Sequence, residues 1–248
     1  MKILFNPVYW LLAAVGVLFI ALSLTTVYAA DITSLGKIQN EMLSLTGQLN
    51  ENCSATLIHS KRDDKSGEVS TIFLTAKHCV VGNKTDMVID LPVYQGNRIV
   101  KKDRYIARVR GEYFDGDLAL VELRDKQTFF AKVAKISGDK PALFMGEDVW
   151  TVGYPLAMSL TITKGLFGAI ETSNYDKPGA EYFRATPDIA GGNSGGAMYH
   201  MDAKGDYALL GVTAARARSD SFIGLYTPIE VIHKYLSVAL PEAVVAGK

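Results

Sequence analysis

Residues 189–200 read IAGGNSGGAMYH, in which Ser194 has two glycines shortly before it and two directly after it. Glycine adopts positive φ without steric cost, so glycine clusters of this kind also occur in ordinary turns. The stretch is therefore typical of two structures: a strained turn that presents a nucleophilic serine, and a flexible polar loop between strands. The rest of the chain decides between them.

The composition of the 248 residues limits the classes of protein that the chain can form. Apolar residues make up 48%, enough for the core of one large all-β or α/β domain or of two small domains. Lys plus Arg and Asp plus Glu number 26 each, so no net charge attracts polyanions. We therefore expect no nucleic acid partner.

The N-terminus has the pattern of an export signal. Lys2 precedes the apolar residues 7–27, and the small residues around Ala29 match the rule for cleavage after that alanine. The alternative is an uncleaved membrane anchor through residues 8–28, because the run approaches the roughly 20 residues that span a bilayer. In both cases we expect residues 1–30 to direct the chain to a secreted or periplasmic location, with membrane attachment in the second case.

The pattern of apolar residues divides the rest of the chain into three parts. Residues 31–50 carry apolar side chains three or four positions apart, which predicts a helical segment. From Cys53 onward, short β-type runs bounded by turn residues predict an all-β fold, and a helical period returns only near the C-terminus. A polar stretch separates two strand-rich halves. We predict one β-domain at residues 51–130 and a second, with a C-terminal helix, at residues 131–248.

Two segments contain candidate partners for Ser194. His78 ends the apolar run TIFLTAKHCV, where a strand meets a loop, although an ordinary loop histidine has the same pattern. Asp117 begins the run DLALVEL, where its carboxylate can accept a hydrogen bond from an imidazole. A solvated turn aspartate, which is our interpretation of Asp115, fits that position as well.

The two cysteines, Cys53 and Cys79, are the only ones in the chain. In an exported protein a single pair favours a disulfide, because two thiols without clustered histidines fall short of the usual zinc ligand set. Two separate buried thiols are the alternative. We predict no metal ion and no organic cofactor.

Six segments in chain order resemble those of the trypsin-like serine proteases of the chymotrypsin fold: CSATLI, LTAKHC, DLAL, GNSGG, LLGVTA and GLYTPI. They resemble, respectively, the family's cysteine strand, histidine box, aspartate box, nucleophile loop, cleft-lining strand and the strand before the C-terminal helix. The resemblance covers most of residues 53–239. It implies an all-β fold of two packed antiparallel six-stranded β-barrels, with a short N-terminal helix, a C-terminal helix and a site in the cleft between the barrels.

The same resemblance implies a role for each candidate residue. Ser194 corresponds to the nucleophile, His78 to the general base and then acid, and Asp117 to the group that orients the imidazole. The backbone N–H groups of Gly192 and Ser194 correspond to the oxyanion hole, with Gly192 leaving room for the substrate carbonyl. Cys53 and Cys79 match a disulfide that the family often places beside its histidine. A protein or peptide is then the expected substrate.

One departure from the family concerns Asn193, where the pancreatic enzymes have an aspartate that pairs with a newly cut N-terminus. Without that carboxylate we expect no activation of this kind, and GNSGG more closely resembles bacterial and viral members and the HtrA group. The chain ends soon after its terminal helix, so we do not expect a full HtrA architecture with a PDZ domain.

The resemblance also predicts the primary specificity pocket. By register, Asp188 lies at its floor, and Thr213, Ala215 and Gly224 lie along its walls. A carboxylate at the base of an open pocket favours cleavage after Lys or Arg. In the alternative, the loop has a different length and Asp188 is an exposed turn residue.

Two rival functions remain at this point. GNSGG also satisfies the nucleophile elbow G-x-S-x-G of α/β-hydrolase esterases, with His200 or His233 as the later histidine. That fold requires a strand, a turn and a helix around the serine, whereas AMYHMDAKGDYALLGV predicts a β-hairpin. The other rival is a catalytically silent relative that binds peptides.

Overall fold

The computed structural model describes residues 36–82, 85–113, 115–138, 140–173, 178–217 and 223–245. The chain divides into two units, Met1–Gln39 and Asn40–Lys248, and the second contains all the strands described below. The predicted signal peptide or anchor at residues 1–30 lies outside the described residues. Of the part that is described, no helix has the length and apolar character that crossing a bilayer requires.

The first half of the larger unit is a closed antiparallel barrel with the strand order β1-β2-β3-β6-β5-β4. Its strands are β1 (Thr46–Leu49), β2 (Cys53–Arg62), β3 (Val69–Ala76), β4 (Met87–Gln95), β5 (Arg98–Tyr113) and β6 (Leu118–Leu123). β-branched and large apolar side chains fill its interior, as expected for residues that favour a pleated, half-buried surface. Fully buried members include Leu57, Ile72, Phe73, Leu74, Met87 and Leu120.

The second half is a second barrel with the strand order β11-β8-β9-β10-β13-β12, which the pairing of β11 with β12 closes. Its elements are β7 (Lys135–Ile136), β8 (Asp148–Gly153), β9 (Thr161–Ser173), β10 (Ala180–Ala185), β11 (Ala197–Met201), β12 (Tyr207–Arg216) and β13 (Gly224–Pro228). The short β7 adds to β12 in parallel, outside the six-stranded ring. The prediction of two six-stranded antiparallel barrels is confirmed.

The C-terminal helix, Ile229–Ala239, follows β13 directly. Pro228 has extended backbone angles immediately before the helix, which suits a residue that lacks an N–H donor. One face of the helix is buried and includes Ile232, Tyr235 and Leu236. A short helix, Pro241–Val245, comes next.

The helix predicted for residues 31–50 is wrong at its C-terminal end. Residues 36–41 are helical, but Leu43–Leu45 is a single 3₁₀ turn and Thr46–Leu49 is strand β1. All four residues of β1 are buried, because β1 pairs with β2 on one side and β4 on the other. The first barrel therefore begins at Thr46 rather than at residue 51. Leu45 and Leu49 are four positions apart, which fits a helix face, but Leu45 lies in the 3₁₀ turn and Leu49 ends β1.

The fold brings the ends of three separate segments to the junction of the barrels. His78 lies in the 3₁₀ turn Lys77–Cys79 at the end of β3, and Asp117 immediately precedes β6. Ser194 lies in the loop between β10 and β11 of the second barrel. The backbone N–H of Ser54, at the start of β2, donates to the carbonyl of Ser194 at 2.8 Å and thereby joins this loop to the first barrel.

Candidate active site

His78 and Asp117 form two hydrogen bonds with each other. The imidazole Nδ1 lies 2.7 Å from Asp117 Oδ2, and the backbone N–H of His78 donates to Asp117 Oδ1 at 2.9 Å. The side chain of Asp117 is 10% exposed and that of His78 is 46% exposed. An ionised carboxylate can only accept hydrogen bonds, so Nδ1 carries a proton, and in the neutral imidazole Nε2 is then the nitrogen with the free lone pair.

The backbone of Asp117 is in the left-handed region, with φ of 49°. Aspartate and asparagine tolerate this region better than most residues, but it remains uncommon outside turns. The carbonyl of Asp117 accepts the N–H of Lys77 at 3.0 Å, which holds the strained residue in place. β6 therefore begins at Leu118, one residue later than the sequence predicts, and the turn directs the Asp117 carboxylate to His78.

Cys53 and Cys79 form the predicted disulfide, so the alternative of two separate thiols is wrong. One of its sulfurs, Cys79 Sγ, lies 3.6 Å from the carbonyl oxygen of Ser194. The two sulfurs and a ring nitrogen of His78 lie within 4.8 Å of one another, a spacing suited to a metal ion. Because the disulfide engages both sulfurs, the cluster offers no thiolate ligand in this structure.

Four successive carbonyl groups of the loop, those of residues 191–194, accept hydrogen bonds. Gly191 O accepts the N–H of Leu156 at 2.5 Å, and Asn193 O accepts the N–H of Gly196 at 2.8 Å. Two further carbonyls, those of Gly192 and Ser194, bind Ser54: its hydroxyl donates to the first and its N–H to the second, both at 2.8 Å. Four successive peptide groups are thus held by other parts of the fold.

Within residues 192–196 of this loop, two N–H groups have no acceptor among the described residues, namely those of Gly192 and Ser194. A trans peptide directs its N–H opposite to its carbonyl, so the Gly192 N–H points away from the Leu156 donor that fixes the Gly191 carbonyl. By the same argument, the Ser194 N–H points away from Gly196. These are the two groups that the sequence predicts as the oxyanion hole.

Two glycines of the loop have positive φ and almost no space for a side chain. Gly192 has φ of 99°, and a Cβ there would lie 2.2 Å from the carbonyl oxygen of Tyr154. Gly195 has φ of 82°, and its Cβ would lie 2.1 Å from the hydroxyl of Thr75. The sequence predicts that Gly192 leaves room for substrate; in the structure the protein's own backbone already excludes a side chain at this position.

Ser194 is half-buried, and its backbone lies beside the disulfide that contains the neighbour of His78. Within the described part of the chain, the hydroxyl of Ser194 forms no hydrogen bond with His78. Catalytic hydrogen bonds in ligand-free proteases are often long and shorten on substrate binding. Asn193, the residue that departs from the pancreatic pattern, is buried, and its Oδ1 has no hydrogen-bond partner among the described residues.

The residues predicted for the specificity pocket differ in their environments. Asp188 is exposed, and its charge adds to the effect of burial in raising the pKa of the Tyr226 hydroxyl. The ring of Tyr226 lies against Gly224, where a Cβ would be 2.7 Å from it, so Asp188 and Gly224 share a neighbour. Ala215 is half-buried on β12.

Thr213 differs from the prediction. Its hydroxyl is shielded from solvent, and its backbone accepts the N–H of Gly195 at 2.9 Å and donates to Gly196 at 2.8 Å. The residue thus supports the loop around Ser194 through its main chain, because the β12 backbone runs beside that loop. Its side chain does not line an open pocket.

The remaining histidines form no catalytic pair with Ser194. His200 on β11 binds the hydroxyl of Ser137 through Nε2 at 2.8 Å, and His233 binds the carbonyl of the same serine at 2.7 Å. Ser194 is followed by strand β11 and not by a helix, which contradicts the esterase alternative. Burial lowers the pKa of His200 and that of His59 at the bulge in β2.

The two closed barrels define a chymotrypsin-like fold, and the sequence matches the Trypsin family over residues 42–236. The chain belongs to the trypsin family.

Individual relatives agree with this assignment. The Do-like 14 protein of Arabidopsis thaliana is 27% identical over 124 residues, which are 48% of this chain and 27% of that protein. A protein of Buchnera aphidicola, named as a periplasmic DegP-like serine endoprotease, is 32% identical over 114 residues, 45% of this chain and 22% of the relative. The chain thus spans about a quarter of the length of these curated relatives.

One solved structure, that of the HtrA-type protease AlgW with a tripeptide, has a TM-score of 0.62 to this chain at 18% identity. The similarity covers 82% of this chain and 62% of that chain. At this identity the likeness supports the fold alone.

Proposed function

We propose that the chain is a serine endopeptidase in which Ser194, His78 and Asp117 act as the catalytic triad. The observation that carries the proposal is the pair of hydrogen bonds that the Asp117 carboxylate accepts from His78. They orient the imidazole and fix its tautomer, so that Nε2 is the basic atom available to a serine hydroxyl. Membership of the trypsin family supports the assignment of that serine to Ser194.

The proposed reaction has two chemical steps. Ser194 Oγ attacks the scissile carbonyl carbon while its proton moves to His78 Nε2, and the carbonyl π pair becomes an oxyanion. The intermediate then collapses, the C–N bond breaks, and His78 gives its proton to the leaving amine. Water then attacks the acyl-enzyme carbonyl by the same two steps, giving its proton to His78. The acid product leaves, and Ser194 regains its proton from His78.

The oxyanion is stabilised, in this proposal, by the N–H groups of Gly192 and Ser194. Both lack another acceptor among the described residues, and the carbonyls of their peptide groups are held by Leu156 and Gly196. Donors fixed in advance need no reorganisation as charge develops, which makes this term large in acyl transfer. Loss of one such donor typically costs about 3 kcal/mol of transition-state stabilisation.

We also propose, more specifically, that the protein cleaves peptide bonds that follow Lys or Arg. The charge of Asp188 acts on Tyr226, whose ring lies against Gly224, and this supports a carboxylate close to β13, where the predicted pocket would lie. A guanidinium or ammonium group entering there would form a charge-assisted hydrogen bond.

We also propose that the protein acts outside the cytoplasm, secreted or in a periplasm. The Cys53–Cys79 disulfide supports an oxidising compartment, and one relative is named as periplasmic. The N-terminal pattern of residues 1–30 fits export by a cleaved signal or by a retained anchor.

The test is cleavage of a peptide library by the purified full-length chain. The proposal predicts hydrolysis by the wild type, with Lys or Arg enriched before the cut, and none by Ser194→Ala. Ser66→Ala, which removes the hydroxyl of an exposed serine, is the matched control and should cleave like wild type. Folded wild-type protein that cleaves no peptide would instead support the catalytically silent peptide binder.

A further inference from the structure

We propose that Ser54 is a positioning residue for the oxyanion hole, acting through its buried hydroxyl on the backbone of Gly192. The inference rests on the proposed function and concerns the same site. Ser54 lies on β2 of the first barrel, next to Cys53 of the disulfide, and its side chain is completely buried. Gly192 lies in a loop of the second barrel, 138 positions later in the chain.

The hydroxyl of Ser54 connects two segments of the second barrel. It donates to the carbonyl of Gly192 at 2.8 Å and accepts the backbone N–H of Tyr154 at 3.0 Å. Since a hydroxyl has one proton and two lone pairs, one Ser54 side chain serves both groups at once. No other described group binds either of them.

Gly192 is confined from both directions by this arrangement. Its carbonyl is held by Ser54, and the carbonyl of Tyr154 occupies the place where a side chain of Gly192 would lie, 2.2 Å from the Cβ position. Ser54 also binds the N–H of Tyr154 and so fixes the segment that confines Gly192. The Gly192 N–H, one of the two proposed oxyanion donors, belongs to the preceding peptide group, whose carbonyl accepts the N–H of Leu156. Ser54 therefore acts on its orientation indirectly, through the Gly192 backbone and through the Tyr154 segment that leads to Leu156.

The backbone of Ser54 completes the connection. Its N–H donates to the carbonyl of Ser194 at 2.8 Å, and its own carbonyl accepts the hydroxyl of Thr75 at 2.7 Å. Those bonds do not involve the Ser54 side chain, so they remain when the hydroxyl is removed. Removal of the Ser54 hydroxyl therefore tests the positioning of Gly192 alone, because the backbone hydrogen bonds of Ser54 still hold the two barrels together.

Ser54→Ala tests the inference with a readout specific to the oxyanion. A peptide aldehyde bonds to the nucleophilic serine: the serine oxygen joins the aldehyde carbon, the serine proton moves to the imidazole, and the carbonyl oxygen occupies the oxyanion hole. The matching peptide alcohol fills the same subsites without that bond. The ratio of the two inhibition constants therefore measures binding of the oxyanion, with the peptide chosen as the one that wild type cleaves best.

The aldehyde preference is the factor by which the aldehyde binds more tightly than the alcohol. We expect Ser54→Ala to lower it about 10- to 100-fold. The kcat should fall by a similar factor while KM stays within about threefold, because the lost interaction stabilises only the transition state. Ser60→Ala is the matched control: it lies on the same strand, and its hydroxyl likewise binds two partners, Thr71 and the N–H of Phe130, remote from the site. Its aldehyde preference should equal that of wild type.

Ser54→Gly is a second variant that removes the same hydroxyl. An unchanged aldehyde preference in either folded Ser54 variant would overturn the inference. So would failure of both to fold while Ser60→Ala folds, because Ser54 would then be needed for folding and not for positioning. If wild type itself neither cleaves peptides nor binds the aldehyde more tightly than the alcohol, the proposed function fails, and with it the inference that depends on it.

Discussion

Asp117 contacts His78 with both of its carboxylate oxygens, one on the imidazole Nδ1 at 2.7 Å and one on the backbone N–H at 2.9 Å. The first bond fixes the tautomer and the second fixes the position of the residue. Asp117 achieves this geometry with a left-handed backbone, φ of 49°, that most side chains avoid. Backbone strain at a site of this kind is maintained by the surrounding fold.

Asp117→Asn should abolish most of the activity and leave the fold intact. Asparagine tolerates the left-handed backbone and can still accept the N–H of His78, but its amide NH₂ would face Nδ1 and favour the wrong tautomer. We expect kcat to fall about 10⁴-fold in steady-state assays. Asp115→Asn changes the exposed carboxylate of the same turn and should retain wild-type kcat. Equal activity of the two variants would remove Asp117 from the triad.

Gly192→Ala and Gly191→Ala should differ sharply although the glycines are adjacent. A Cβ on Gly192 would lie 2.2 Å from the Tyr154 carbonyl and would need a positive φ, whereas a Cβ on Gly191 meets nothing within 4 Å. We expect Gly192→Ala to lower kcat about 100-fold and Gly191→Ala to change the free energy of unfolding by less than about 0.5 kcal/mol. Kinetics and urea denaturation of both variants provide the comparison. Similar kcat values would contradict the confinement of Gly192.

The stability of the protein should decrease as the pH falls through the ordinary histidine value of 6.5, in part because of His200. Burial lowers the pKa of this imidazole, and the charges of Asp202 and Glu147 offset the effect only partly. Below pH 6.5 the unfolded chain therefore binds a proton that the folded chain excludes, and the free energy of unfolding drops until the folded-state pKa is passed. Above that range the contribution is constant.

His200→Gln removes this titration and should reduce the slope of unfolding free energy against pH just below pH 6.5. Urea denaturation at several pH values measures the slope, and the two proteins should have parallel profiles between pH 7.5 and 9. His59 also has a pKa lowered by burial, so a residual slope is expected in the variant. Identical slopes in wild type and variant at low pH would contradict the assignment.

Asp188→Ser should change which residue is accepted before the cut and leave the chemistry in place. If the Asp188 carboxylate binds a basic side chain, the ratio of kcat/KM for an Arg peptide to that for the matching Phe peptide should fall at least about tenfold. Asp148→Ser is a control, because that aspartate is also exposed but pairs with Lys164. A wild type that cuts Arg and Lys peptides no faster than Glu, Phe or Ala analogues would exclude the basic pocket.

The sequence predicts most strands and names the three candidate catalytic residues. It predicts less of the contacts that hold the strands and these residues together. Runs such as VSTIFLTA and DLALVEL have β-branched or apolar residues bounded by turns; the first forms β3, and the second forms β6 from Leu118 onward. β1 is missed because its four residues are buried on both faces and lack alternation. β7 has two residues, too few for any period.

The supporting residues of the site have no sequence signal of their own. Ser54 is a small polar residue in an apolar strand, and its importance arises from a contact with Gly192 that only the docked barrels create. The donor from Leu156 to the Gly191 carbonyl is a backbone group, which any residue at that position could supply. Pairings between distant segments of this kind depend on tertiary structure and not on local residue pattern.

The central claim, that Ser194 is a nucleophile activated by His78, is tested most directly by labelling with a fluorophosphonate and locating the adduct by mass spectrometry. The account predicts one adduct per folded chain, on Ser194, with none in Ser194→Ala, a much slower reaction in His78→Ala, and wild-type labelling in Ser66→Ala. A folded wild type that remains unlabelled, or that is labelled at a different serine, would contradict it.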